Sequence, residues 1–112
     1  MIFNNNSRMV AGGMGSAGGT GDGSIAIEMK LDPSAKTVSK IWSYKASPGI
    51  QNDVMGDVQR LPNGNTMVAY STKGVIQEVD AQGNLLSDWS FPLGAQFGYI
   101  SKRASLYGPP PR

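Results

Sequence analysis

The sequence lacks the two residue types that most often carry metal and nucleophilic chemistry. None of its 112 residues is a cysteine or a histidine. This excludes disulfides, zinc–thiolate sites and an imidazole acting as a general base within the chain. We therefore predict no catalytic residue, no cofactor site and no metal site among these residues.

Long apolar runs and blocks of like charge are absent as well. The ten lysines and arginines are scattered from Arg8 to Arg112 and give a net charge of +2. Such scattering predicts no basic stripe that could follow a nucleic-acid backbone. No apolar run approaches the ~18 residues of a membrane span, and the opening "MIFNNNSR" lacks the pattern of a signal peptide. We therefore expect no membrane or nucleic-acid partner, and a cytoplasmic location if the chain is complete.

Helix-forming runs are scarce, whereas strand patterns recur at short spacing. The chain holds 15 glycines and 7 prolines, which favour turns and loops. In "IAIEMKL" (25–31) every second residue from Ile25 to Leu31 is apolar, which predicts a strand with that face buried. Residues 32–36 are a predicted turn, and 37–44 return as the second strand of a hairpin.

A second group of strands is predicted after residue 56. Its members share short length and flanking turn residues: 57–61, 65–71, 74–80 and 85–91. Between the first two, Asn63 and Gly64 both tolerate positive φ and so predict a type I′ hairpin turn. The segment 98–107 is predicted to add one more strand, and 108–112 to form a disordered tail.

The stretch "GMGSAG" at residues 13–18 spells the G-x-G-x-x-G fingerprint of a dinucleotide-binding turn. That fingerprint requires a buried strand before it and a helix that begins within it. Here an alternating strand follows and no helix is predicted. The backbone N–H groups of a helix N-terminus, which would bind the pyrophosphate, are therefore not expected. We interpret residues 11–24 as a glycine-rich loop inserted between two strands.

The chain also repeats itself. Glu28 and Glu78 each lie in the first strand of a hairpin, and Trp42 and Trp89 lie in the returning strands, 47 positions apart. Short antiparallel units with a period of 40 to 50 residues are typical of propeller blades. We therefore predict an all-β fold, an antiparallel β-propeller fragment of about two four-stranded blades. Residues 1–112 form one unit, with a first blade over 1–46 and a second blade plus closing strand over 56–107.

The repeated residues have structural interpretations that we prefer. Tryptophans at equivalent positions of successive blades more often fill the space between sheets than bind aromatic substrates. The two glutamates lie in separate blades, so we do not expect them to converge as an acid–base pair. Ser7, Ser71 and Tyr70 would need an adjacent base to act as nucleophiles, and no histidine is present.

The segment "GDVQRLPNGNTMVAYSTKGVIQEVDAQGNLLSDWSF" (56–91) closely resembles the blade repeat of bacterial arylsulfotransferases, which carry a "LPNGNTL" turn and a tryptophan-bearing strand. "MIFNNNSR" (1–8) is similar to their "FDNG…R" segment, and residues 29–44 resemble the strand pair that follows it. The likeness covers most of the chain and agrees with the family's C-terminal blades. It implies a propeller whose complete form transfers sulfate between phenolic compounds through a sulfated histidine.

The resemblance implies one candidate substrate-binding residue. It also shows that the family's catalytic histidines are missing from this sequence. Arg8 matches the arginine after the family's "FDNG" and could hold a sulfate through charge-assisted hydrogen bonds. Asn4 and Asn6 stand where the family has Asp and Gly, so the first turn is altered. The histidines that line the family's channel have no counterpart here. The resemblance thus implies a fragment that is inactive alone, with aryl sulfate or phenol as ligands of the complete protein, which in this family is often periplasmic or exported.

Two further hypotheses concern partners and class. "DAQGNLLSDWSF" (80–91) is also similar to repeats of quinoprotein-like propellers, which predicts a non-catalytic binding or scaffold module as the alternative. Two blades leave strand edges with unpaired backbone groups, and such edges can pair with strands of another chain. The predicted partners are therefore the remaining blades of a propeller or further copies of the chain, three of which would close a six-bladed ring.

Overall fold

The computed structural model describes residues 1–5, 23–92, 95–103 and 105, and their regular structure is almost entirely strand. Seven strands form two antiparallel sheets, one of three strands and one of four. The all-β prediction is therefore confirmed. The glycine motif at 13–18 lies outside the described residues. Within the described part of the chain, no helix has the length and apolar character needed to cross a bilayer.

Sheet 1 contains three strands in the order β1-β2-β3: Ile2–Asn4, Ile25–Asp32 and Thr37–Lys45. The turn between β2 and β3 forms where it was predicted. One carboxylate oxygen of Asp32 accepts hydrogen bonds from the backbone N–H groups of Ser34 and Ala35, both at 3.0 Å. This side chain replaces backbone partners in the turn and so fixes the hairpin.

Sheet 2 contains four strands in the order β4-β5-β6-β7: Asp57–Arg60, Thr66–Tyr70, Val75–Val79 and Leu85–Ser90. Each strand pairs with its neighbour in sequence, so the sheet is a simple meander. A short 3₁₀ turn, Ser71–Lys73, joins β5 to β6. All four strands were predicted to within two residues at each end.

The hairpin at Asn63 and Gly64 is present, but its predicted type I′ turn is wrong. Gly64 has φ +88°, whereas Asn63 is not among the residues with positive φ. Gly64 N–H donates to the Leu61 carbonyl (3.0 Å), and Leu61 N–H donates to the Asn65 carbonyl (2.8 Å). Pro62 favours negative φ at the first turn position, and only the last loop residue is left-handed, as in three-residue hairpin loops.

The core lies between the two sheets. Ala26 and Ala46 of sheet 1 and the following loop pack against Val68 and Tyr70 of sheet 2, and all four are buried. The Phe3 ring meets the Tyr70 ring edge-on, with centroids 5.7 Å apart. The two sheets thus pack face to face through small and aromatic side chains.

The face of β2 that sequence alternation marked as buried is not the one that packs on sheet 2. Ala26 is fully buried, whereas Met29 is 38% and Leu31 67% exposed. The face with Ala26 and Glu28 lies against sheet 2, and the apolar face of Ile27, Met29 and Leu31 points away. Alternation located two faces correctly, but it could not tell which one meets the neighbouring sheet.

Both long hairpins carry a register break at the same place. In sheet 1 the pairing shifts directly after Glu28, and in sheet 2 directly after Glu78. In each case the extra residue lies on the returning strand, Ile41 in one and Leu86 in the other. Glu28 lies opposite Trp42, but Glu78 lies opposite Ser87, so the two tryptophans differ in register.

The predicted closing strand at 98–107 is described only at residues 98–103 and 105, and these form no strand. They lie instead across the outer face of sheet 2, the face turned away from sheet 1. Lys102 N–H donates to Gln59 Oε1 (2.9 Å), and Ser71 Oγ donates to the Gly98 carbonyl (2.8 Å). Side chains of sheet 2, not a strand ladder, position this segment.

Candidate functional site

Arg8, the candidate substrate-binding residue, lies outside the described residues. Ser7, considered as a nucleophile, does as well. Both follow β1, which is the last strand of sheet 1 on that side within the described residues. The role of Arg8 stays a prediction.

An ionic and aromatic cluster links the two sheets, and we call Glu28, Trp42 and Arg60 the interface cluster. Arg60 Nη2 donates a hydrogen bond to Glu28 Oε2. The Arg60 guanidinium lies 4.8 Å from the centre of the Trp42 ring, within cation–π range. Arg60 Nη1 also donates to Thr66 Oγ1 at 2.6 Å. The guanidinium therefore satisfies partners on both sheets at once.

The indole N–H of Trp42 also forms a hydrogen bond across the same interface. Its indole Nε1–H donates to the carbonyl of Ala81, in the β6–β7 loop of sheet 2, at 3.0 Å. Trp42 is half-buried, which agrees with the predicted packing role. Because Glu28 is held by Arg60, the interface cluster stabilises sheet packing and leaves no carboxylate poised for acid–base chemistry.

Glu78 forms a separate cluster on the outer face of sheet 2. Its carboxylate accepts hydrogen bonds from Asn65 Nδ2 (2.9 Å) and from Lys102 Nζ (3.2 Å). The bond from Asn65, followed by that from Lys102, lowers the pKa of Glu78 below its ordinary value of 4.5. As expected from the sequence, the two glutamates serve different clusters and do not converge.

An open groove of about 520 Å³ runs beside this second cluster. We call it the outer groove, and its apolar walls come from four side chains: Met67, Ile76, Trp89 and Ile100. Trp89 is 46% exposed, so the prediction that it packs in a core is not met within the described residues. The reason is that sheet 1 covers the other face of sheet 2, and of the residues that the structure describes outside sheet 2 only some of 95–103 approach this one.

A buried polar network around Asn52 was not found by sequence reasoning. Asn52 is fully buried, and its Oδ1 accepts from both the N–H and the Oγ1 of Thr72, at 2.8 and 2.7 Å. Its Nδ2 donates to the carbonyls of Val54 (2.8 Å) and Met55 (2.9 Å), and Ser24 Oγ bonds its backbone. The only signal was an asparagine in a loop rich in Pro, Gly and Asp, which is common in ordinary turns.

The hydroxyl groups of Tyr70 and Ser71 show no sign of activation as nucleophiles. Burial, and next the nearby Tyr44, raise the pKa of Tyr70 far above its ordinary value of 10.0, so the phenol stays neutral. Ser71 Oγ donates to the Gly98 carbonyl. Among the described residues, no three Asp or Glu side chains are grouped as a metal site would require. The described geometry is therefore that of packed sheets.

The chain matches the family described as arylsulfotransferase (ASST) over residues 1–92, a span that includes all seven strands. The chain therefore belongs to the arylsulfotransferase family, which confirms the resemblance found in the sequence. Searches of curated proteins and of solved structures gave no match.

Proposed function

We propose that the chain forms two successive blades of an arylsulfotransferase propeller, which transfers sulfate between phenolic compounds. The observation that carries this proposal is the family match across both sheets. In the proposed reaction the sulfate acceptor is a histidine, and these 112 residues contain none. The chain's part is then to shape the propeller, while the histidine comes from elsewhere in the assembled protein.

Three features support a blade role. The sheets are antiparallel meanders packed face to face, as blades are. Both hairpins break register directly after a glutamate, Glu28 or Glu78. In each case a cation, Arg60 or Lys102, binds that glutamate. Such recurrence is what a blade repeat would produce.

Arg8 is the residue of this chain that we propose to contact the sulfate group. It falls within the matched span, four positions after Asn4, the last residue of β1. A guanidinium can bind two sulfate oxygens through parallel charge-assisted hydrogen bonds.

The test is a transfer assay with the purified chain, p-nitrophenyl sulfate as donor and phenol as acceptor. We expect no nitrophenol release above buffer, because no histidine is available to accept the sulfate. Nuclear magnetic resonance titration with the same donor is expected to shift signals near Arg8, and Arg8→Ala to abolish those shifts, with Arg103→Ala as the charge-matched control. Sulfate transfer by the purified chain would overturn the proposal that the sulfate-accepting histidine comes from elsewhere in the assembled protein.

The alternative is a non-catalytic binding or scaffold module. It is favoured by exposed apolar side chains on both outer faces, such as Leu31 (67%) and Trp89 (46%). The titration separates the two proposals: shifts confined to Arg8 support a sulfotransferase blade, and no shift with any aryl sulfate supports the scaffold.

A further inference from the structure

The connection between β1 and β2 is much longer than its counterpart in sheet 2. It covers residues 5–24, whereas β5 and β6 are joined by residues 71–74. The two connections correspond because the register breaks directly after a glutamate in both β2 and β6. Connections longer than about 12–15 residues are uncommon in compact domains and often carry function. In this chain the long connection carries Arg8.

The side-chain amide of Gln51 joins the two ends of this connection. Gln51 Nε2 donates a hydrogen bond to the Asn5 carbonyl at 2.8 Å, and Gln51 Oε1 accepts one from the Gly23 N–H at 3.2 Å. The two bonds use opposite ends of one amide group, so the orientation of that group is fixed by its partners. One side chain from the loop after β3 therefore binds both ends of the segment 6–22.

Three further contacts hold the second end of the segment against the same loop. Ser24 is fully buried, and its backbone N–H donates to the Ile50 carbonyl at 2.8 Å. Its Oγ donates to the Asn5 carbonyl at 3.0 Å. Gly23 has φ +134°, and an added Cβ would lie 3.1 Å from the Cα of Gly49. We call Asn5, Gly23, Ser24 and Gln51 the segment anchor.

The segment anchor is itself attached to both sheets. The backbone N–H of Asn52 donates to Ser24 Oγ at 2.9 Å. The Asn52 side chain accepts hydrogen bonds from Thr72, in the short connection of sheet 2. Sheet 1 contributes Asn5 and Ser24, which directly flank β1 and β2. The two ends of the segment 6–22 are thus fixed relative to sheet 2 as well as to sheet 1.

We propose that Gln51 is a positioning residue for Arg8: by holding both ends of the segment 6–22, it sets where this arginine meets a sulfate group. Arg8 follows Asn5 by three positions, and a chain of that length reaches at most about 11 Å. Binding of sulfate by a guanidinium depends on directed, paired hydrogen bonds, and ordering the site beforehand lowers the entropic cost of binding. The inference rests on the proposed contact of Arg8 with sulfate.

The first test is the dissociation constant of p-nitrophenyl sulfate, from magnetic resonance titration of the wild type and of Gln51→Ala. We expect the constant to rise about tenfold, equal to 1.4 kcal/mol. Gln59→Ala is the matched control, because the Gln59 amide also accepts from a backbone N–H and donates to a carbonyl, both of Lys102. Its effect should stay below about twofold. Equal effects of the two changes, or none in Gln51→Ala, would overturn the positioning role.

The second test needs no ligand. Trypsin cuts after Arg8, and the initial rate of this cut in the folded chain is followed by mass spectrometry. In Gln51→Ala we expect the rate to rise about fivefold, the factor that corresponds to the net contribution of one hydrogen bond. Gln59→Ala should cut at the wild-type rate. A wild-type rate in Gln51→Ala would overturn the proposal, whereas a raised rate in a chain that binds no aryl sulfate would refute only the sulfate contact of Arg8.

A second variant disturbs the segment anchor without touching Gln51. Gly23→Ala places a methyl group against Gly49 and is expected to raise the rate of cutting after Arg8 in the same direction. Gly64→Ala is its control, because φ is also positive at Gly64 but the space around it is open. Circular dichroism of each variant checks that it is folded. Wild-type rates in both Gln51→Ala and Gly23→Ala would show that the anchor does not position the segment.

Discussion

The guanidinium of Arg60, on sheet 2, lies 4.8 Å from the centre of the Trp42 ring, on sheet 1. The same guanidinium binds Glu28, which lies directly opposite Trp42 in the ladder of sheet 1. One side chain of β4 therefore contacts two paired residues of the other sheet. This arrangement fixes how far the sheets can slide on each other, because an arginine fork and a ring face both have preferred geometries.

Replacing Trp42 with phenylalanine tests the indole hydrogen bond across the sheets. The change keeps an aromatic ring but removes the donor to the Ala81 carbonyl. We expect the free energy of unfolding, measured with urea, to fall by about 1 kcal/mol. Trp89→Phe is the matched control, and because Trp89 is exposed its effect should stay within about 0.5 kcal/mol. Equal effects of the two changes would contradict the assigned role of Trp42.

Gly56 is required for close approach of β1. It has φ +104°, and an added Cβ would overlap the ring of Phe3. Gly56→Ala is therefore expected to lower the free energy of unfolding by about 3 kcal/mol or more, from backbone strain and overpacking together. At Gly64 φ is +88° but the space is open, so Gly64→Ala should cost only about 1 kcal/mol. Similar losses for both, measured by urea unfolding, would show that the Phe3 contact is absent.

Asn52→Ala removes the buried network that ties the loop after β3 to the 3₁₀ turn after β5. It leaves the N–H and hydroxyl of Thr72 and the carbonyls of Val54 and Met55 without their partner. We expect a loss of about 3 kcal/mol in urea unfolding, because several buried polar groups lose bonds together. Asn63→Ala, in an exposed loop, should cost about 0.5 kcal/mol. A small effect at Asn52 would mean that water replaces its side chain.

Glu78 gives the chain a defined dependence of stability on pH. Its folded-state pKa lies below the ordinary 4.5, so the ionised form is favoured in the folded state. The resulting stability is fully present above pH 4.5 and is lost as the pH falls through the lowered pKa. The difference in unfolding free energy between wild type and Glu78→Gln should therefore shrink between neutral pH and about pH 3. A constant difference would contradict the Asn65 and Lys102 bonds.

The strands could be predicted from the sequence because local residue patterns determine them. Alternation and turn residues gave β2 and β3, and the hairpin at Asn63 and Gly64, with nearly correct ends. The turn type was missed because it depends on how Pro62 sets the loop. The buried face of β2 was missed because Ala26 and Glu28 are less apolar than the residues of the opposite face, and only packing decides which face meets sheet 2.

The interface cluster could not be predicted from sequence. Glu28 and Arg60 are 32 positions apart, and no local sequence pattern predicts that their side chains meet beside Trp42. Exposure of Trp89 likewise depends on what covers sheet 2, which is a property of the assembly. The family was recognisable from the "LPNGNT" turn and its flanking strands, since these are contiguous motifs.

The most direct test of the two-sheet arrangement is a double-mutant cycle on Glu28 and Arg60. Glu28→Gln, Arg60→Gln and the double variant are unfolded with urea, and the coupling free energy is taken from the four values. Both side chains are about one third exposed, so we predict a favourable coupling of about 0.5–1 kcal/mol, weakened by salt. Additive effects, with no coupling at low salt, would contradict the face-to-face packing of sheet 1 on sheet 2.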